Sequence, residues 1–232
     1  MAVGDDGQDR AQDAGAGGSV TAALPDSVPK PARYCGRMSI SFDVSGFQAD
    51  ATDSWIDPET GDRAVVRYFP LAPDLPAPLE DLDTLRRRLC EIHASSGSLI
   101  EAFVIGVDGQ PALLRVEKMP RHNQPSGLLF AASIVIPKDR CSIALMMFCE
   151  ETGTTGIREA MTMARLGFEN FSTPHPYAPN VAGKLPYNRS DGMEWDSAFP
   201  DHPLTRLRQR IARIAPTIRL DPEFAALPPF SG

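Results

Sequence analysis

Cys90 and His93 stand three residues apart, a spacing that lets two side chains meet on one face of a helix and is the least a thiolate–imidazole pair requires. No carboxylate is placed to orient the imidazole, and Cys90 adjoins an apolar stripe, so the plainer expectation is a core cysteine beside a boundary histidine. Gly153-Thr154-Thr155-Gly156 precedes a helical pattern, where free amides and the helix dipole favour an anion. Glu150 and Glu151 sit directly before it and oppose one, so the stretch is expected to be a capped turn. Asp191, Asp196, Asp201 and His202, with His175, offer hard metal ligands. Their spacing matches no chelating loop, and a solvated acidic segment is expected, with no metal and no cofactor. The chain has neither a P-loop nor a Gly-x-Ser-x-Gly elbow. His122-Asn123-Gln124 reads as an exposed loop tip.

Two further groups point to partners rather than reactions. Trp55, Tyr177, Tyr187 and Trp195 are large aromatics in polar or Pro-rich stretches, where they either pack such a stretch onto a core or act as recognition anchors. Leu204, Leu207, Ile211 and Ile214 share one helix face while Arg206, Arg210 and Arg213 share another. The apolar stripe is expected to dock on the main domain. The arginines are then a solvated face, a set of partners for nearby acids, or a surface for an acidic protein.

The elements that must position these residues are legible from periodicity. Residues 1–33 are rich in Gly, Ala, Asp, Gln and Pro with no apolar repeat, which predicts a disordered tail. Met38, Ile40, Phe42 and Val44 alternate as a strand ending near Gly46, and Ala64–Phe69 is a second, β-rich run that could pair with it across a long polar loop. Leu79, Leu82, Leu85, Leu89 and Ile92 predict a helix with Pro78 in its first turn. Four apolar runs follow, Leu99–Val107, Ala112–Val116, Leu128–Ile136 and Cys141–Cys149, separated by short turns, of which Asp108-Gly109 is the strongest hairpin signal. They predict an antiparallel meander. Ile157, Ala160, Met161, Ala164 and Phe168 predict the face of a second covering helix.

The fold class expected is therefore α+β, an antiparallel sheet of about six strands flanked by helices. Its divisions are a tail over 1–33, a core domain over 34–168 and a Pro-rich C-terminal arm with a short amphipathic helix over 169–232. The order strand, strand, helix, four-stranded meander, helix resembles the PsbP-like superfamily. Val107-Asp108-Gly109-Gln110-Pro111-Ala112 is similar to the glycine-proline-alanine hairpin often found between that family's strands. The resemblance covers roughly Arg37 to Phe168 and implies a mostly non-catalytic, binding role. The chain departs from many bacterial members in lacking a signal peptide or lipidation cysteine, and its C-terminal arm is additional.

Composition narrows the function classes. With 30 acidic and 23 basic residues the net charge is -7, which argues against broad affinity for nucleic acid or anionic membranes. No apolar run approaches the roughly 20 residues of a membrane span. Cys90, Cys141 and Cys149 lie inside apolar runs, and with Cys35 they are expected to be free thiols of a cytoplasmic protein. The leading expectation is a non-catalytic adaptor or chaperone-like protein that binds another protein. The alternative is a ligand-binding protein or enzyme with a site between arm and sheet, drawing on His175, Tyr177, Asp191 and Trp195.

Overall fold

Asp108 and Gly109 both take positive φ, 47° and 79°. That is the conformation a two-residue hairpin demands, and Asp-Gly supplies it at little cost. The turn joins two strands of an α+β fold in the computed structural model, which describes residues 40–231. The tail expected over 1–33 and Cys35 lie outside the described residues.

The element order is β1 (Ile40–Ser41), β2 (Gln48–Ala51), β3 (Ser54–Ile56), β4 (Arg63–Phe69), α1 (Leu82–His93), β5 (Ser98–Val107), β6 (Gln110–Pro120), β7 (Leu128–Pro137), β8 (Ser142–Glu150), α2 (Ile157–Leu166), α3 (Phe168–Phe171), α4 (Pro203–Ile214), β9 (Arg219–Leu220) and α5 (Pro222–Ala225). Seven strands form one antiparallel sheet in the order β2-β3-β4-β8-β7-β6-β5, and β1 pairs with β9 in a separate two-stranded sheet. The meander β5 to β8 is as expected. Two details of the first strands differ from expectation. The alternating run at Ile40 pairs with Arg219–Leu220 rather than with β4, and the polar loop between them holds a hairpin, β2–β3, that brings the main sheet to seven strands. Both depend on pairings that local composition does not reveal, because β2 is exposed at every position.

Strand alternation sends Phe130, Ala132, Ile134 and Ile136 of β7, and Ile143, Leu145, Met147 and Cys149 of β8, to one face. There they meet Leu204, Leu207, Ile211 and Ile214 of α4, followed by Ile218, Leu220 and Phe224. The stripe read from the sequence thus docks on the sheet, and the segment expected as an arm completes the principal core. The opposite face carries Leu99, Ala102 and Leu113 beneath Leu85, Leu89 and Cys90 of α1, with Ala178 beside them. A register shift between Leu99 and Glu101 brings both Leu99 and Ala102 to that face.

Helix α1 starts after Asp81, whose carboxylate accepts the Thr84 amide at 3.2 Å, rather than at Pro78. Cys90 is buried as expected, but Ile92, expected on the buried stripe, is exposed, because the segment carrying His175 covers the Cys90 side of the helix. Helix α2 departs furthest. The face expected to cover the sheet, Ile157, Ala160, Met161 and Ala164, points outward along its whole length, and Phe168 beyond it is exposed as well. Arg158 and Thr162 are buried in its place. The cause is the Arg158 guanidinium, which donates to the carbonyls of Ser190 and Gly192 at 2.7 and 2.8 Å, to Asp196 Oδ1 at 2.9 Å and to Thr205 Oγ1 at 2.8 Å. A fully buried guanidinium needs such a set of acceptors, and those acceptors lie on the inner side of α2.

Candidate functional site

Three places gather polar or reactive side chains, and the segment from Ser172 to His202 touches all of them. The first lies between α1 and β5. His175, not His93, sits against the Cys90 thiol, with Sγ 3.5 Å from Nδ1 and 3.6 Å from Nε2. Near-equal distances place the sulfur beside the ring as a whole rather than in line with one nitrogen. Both nitrogens are already engaged: Nε2 donates to Leu99 O at 2.7 Å, and Nδ1 accepts the Tyr177 amide at 3.0 Å. Burial lowers the His175 pKa, against the opposing pull of the Leu99 carbonyl and Asp191. Burial, assisted by Glu91, pushes the Cys90 thiol up to about 11. A thiol so held is a poor nucleophile at neutral pH, and its imidazole fastens Ser172–Tyr187 to β5. The cavity beside it, about 180 Å³ and lined by Cys90, Leu99, His175 and Tyr187, is smaller than the roughly 300–1,000 Å³ typical of ligand pockets. His93, the other half of the sequence pair, faces Glu117 at 3.0 Å.

The second place is the inner side of the arm around Asp191. Lys118 and Asp191 form an ion pair of 2.7 Å with both side chains 1% exposed. Asp191 also accepts the Asn188 amide at 2.8 Å. Two of the three acids read as possible metal ligands are therefore spent, Asp191 on Lys118 and Asp196 on Arg158 and Arg208, while Asp201 lines the cleft described next. His175 does not join them.

The third place is a cleft of about 340 Å³ where the end of β8, α2 and the start of α4 meet, lined among others by Glu151, Ile157, Phe199, Asp201 and His202. Glu151 is buried, and its carboxylate accepts the Leu128 and Gly156 amides, each at 2.9 Å. Burial raises its pKa, but His202 and the two amides outweigh that and hold it below the ordinary range. The amide-rich start of α2, considered above as an anion site, thus already holds a carboxylate from the chain itself. Glu159 and His202 complete a group with Glu151. Of these, the sequence offers only His202 as a metal ligand, and Glu151 only as a charge opposing an anion. Nothing local marks Glu159, which gains its place through the inward turn of the Arg158 side of α2.

The residues expected to meet a partner are distributed rather than gathered. Trp55 packs edge-on against Phe42 at 5.1 Å and rests on the principal core. Tyr177 lies under the Arg86 guanidinium at 4.5 Å, Tyr187 packs on His175 at 5.1 Å, and Trp195 lies near Arg165 at 5.8 Å. All four are half-buried. Arg206 binds Asp62 through both carboxylate oxygens, at 2.9 and 2.8 Å, and Arg210 reaches Asp62 and Asp57. Arg213 is exposed and donates to Ser45 O at 2.8 Å. The arginine face of α4 is thus engaged with the chain's own acids and backbone.

No family model matches the chain, and no curated protein matches it either. Among the described residues no helix is long and apolar enough to cross a membrane.

Proposed function

We propose that this chain is a non-catalytic binding protein of adaptor or chaperone-like kind, whose protein partner docks on the outward face of α2 and on Phe168. The observation that carries the reading is the exposure of Ile157 and Met161, at 49% and 45%, on a helix that buries an arginine instead, and of Phe168, at 76%, just beyond it. Apolar side chains gathered on one exposed face mark interaction surfaces more often than scattered ones do. Ala160 and Ala164 between them keep the surface low enough for a second helix to approach. The adjoining cleft is lined by Asp201, whereas Glu150, Arg158 and Arg206 there are paired with Arg121, Asp196 and Asp62. An amphipathic helical segment with an apolar stripe and a basic flank suits that combination.

Four strands rather than two precede α1, and a binding role accords with the PsbP-like resemblance by analogy of fold alone. The enzyme or ligand-binding alternative is less well supported, since His175 and Asp191 are tied up in fixing the arm. The test is a comparison of proteins captured from native lysate by the wild-type chain and by Met161→Lys/Phe168→Ser. The variant is expected to keep its thermal midpoint and to lose specific partners. Capture of the same set by both chains, at equal stability, overturns the reading.

A further inference from the structure

We infer that Glu151, Glu159 and His202 form a binding site for one divalent transition-metal ion of the Zn²⁺, Mn²⁺ or Fe²⁺ class. One ligand atom from each residue lies within 4.8 Å of the others. Nitrogen and oxygen ligands held about 2.0–2.2 Å from such an ion stand about 3–4 Å apart, so the two carboxylates need only a small inward adjustment. Two of the atoms have no other employment. Among the described residues His202 Nε2 and Glu159 Oε2 are buried with no hydrogen-bond partner, and the His202 side chain is 8% exposed. His202 Nε2 stands 3.7 Å from Glu151 Oε1, too long for a hydrogen bond. Buried polar atoms left in this way bear their full desolvation cost, and an ion shared among them removes it. Among the described residues Glu151 Oε1 accepts only the Gly156 amide and keeps a second lone pair for the ion. The other Glu159 oxygen faces the Ser190 hydroxyl at 3.5 Å.

The donor set selects the class of ion. An imidazole favours first-row transition metals over Ca²⁺ or Mg²⁺, and two carboxylates neutralise a dication. Glu151 and His202 also line the cleft, which gives the ion a path in and room for water at its remaining positions. The three ligands come from the β8–α2 turn, α2 itself and the N-cap of α4, so the ion would tie together the pieces that hold α2 with its apolar face outward. None of its ligands lies on that outward face, and the ion can be titrated without any partner present.

One consequence is specific to this geometry. His202 Nδ1 accepts the Leu204 amide at 3.2 Å, which places the neutral ring's proton on Nε2. For Nε2 to bind an ion, that proton must pass to Nδ1, and the ring must turn out of its capping position. Leu204 N–H then loses its acceptor. Metal binding is therefore coupled to the first turn of α4.

The test is calorimetric titration of the full chelator-treated chain with Zn²⁺ and with Mn²⁺, run alongside amide NMR. One equivalent is expected, with a shift of the Leu204 amide resonance. Glu159→Gln keeps the side-chain shape, and His202→Asn keeps a residue able to cap α4; each is expected to weaken binding at least tenfold, with unchanged circular dichroism. Asp201→Asn, on the same cleft but outside the triad, is expected to leave affinity as it was. The inference is overturned by a stoichiometry well below one, by equal binding in the wild type and both triad variants, or by a loss in Asp201→Asn as large as that in Glu159→Gln. The first outcome would assign the gap to bridging water, and the other two would assign the ion to loosely held surface acids.

Discussion

A helix spacing of three brought Cys90 and His93 together on paper, and the fold breaks the pair by giving each a different companion. His93 turns to Glu117 on β6, and His175, 85 residues away in sequence, comes to the thiol. Local spacing shows which side chains can meet within one element, but not which distant segment will cover that element. The apolar surroundings that marked Cys90, Cys141 and Cys149 as buried thiols were legible, and all three are buried. For Cys90 the chemistry follows: with its pKa pushed up to about 11 by burial, a very small fraction is thiolate at pH 7.5. Alkylation followed site by site by mass spectrometry should find Cys90 reacting at least 10-fold more slowly in native buffer than in denaturant, with Cys149 slower still, since burial and Asp62 raise its pKa further. Fast native labelling of Cys90 would show instead that the His175 ring acts as a base toward it.

At the scale of elements, α2 and α4 both show a regular apolar stripe, yet only α4 buries its stripe. Periodicity shows that a helix has two faces; which face turns inward is decided by what the rest of the chain offers. In α4 the sheet offers apolar area and the arginine side finds Asp57 and Asp62. In α2 the inner side offers two carbonyls, a carboxylate and a hydroxyl, a combination that suits Arg158 and no apolar residue. No sequence pattern announces such a nest, because its acceptors come from Ser190 to Thr205. The energetic consequence inverts the usual expectation for a helix. Arg158→Met should destabilise the fold by about 1–3 kcal/mol, since the Ser190 and Gly192 carbonyls lose their donor and Asp196 is left with Arg208 as its ion-pair partner. Met161→Lys, on the apolar face, should change stability by no more than about 0.5 kcal/mol. Chemical denaturation of the two variants measures both, and the opposite ranking would place the apolar face inside.

For the molecule as a whole, the C-terminal segment is attached as much by charge as by apolar contact. Between Ser172 and His202 it has little regular backbone pairing, so its carbonyls and carboxylates take buried donors from the sheet and from α2. Lys118 binds Asp191, Arg158 binds the Ser190 and Gly192 carbonyls, and, further on, Lys138 binds the Ala225 and Leu227 carbonyls at 2.8 and 3.2 Å. A cation inside an apolar strand, such as Lys118 after Val116, was the one trace of this in the sequence, and it does not identify its partner. Acid should therefore loosen the whole fold in two stages. His175 has its pKa depressed, chiefly by burial, so its neutral form belongs to the folded state and its contribution is lost as pH falls below the unfolded value of about 6.5. Asp57, Asp62, Glu117 and Glu151 also have depressed pKa values, because arginines, histidines and amides outweigh the burial that opposes them. Their contribution is present above about pH 4, the unfolded carboxylate range, and is lost as pH falls through the folded values. The thermal midpoint should thus dip modestly between pH 6.5 and 5 and fall steeply below pH 4. Asp62 separates this from general charge repulsion, since its side chain is 1% exposed and faces both Arg206 and Arg210. Asp62→Asn should cost about 3 kcal/mol or more at pH 7 and flatten the acid limb of the curve. A variant as steep as the wild type below pH 4 would show that the buried pairs between α4 and the β3–β4 turn do not govern acid unfolding.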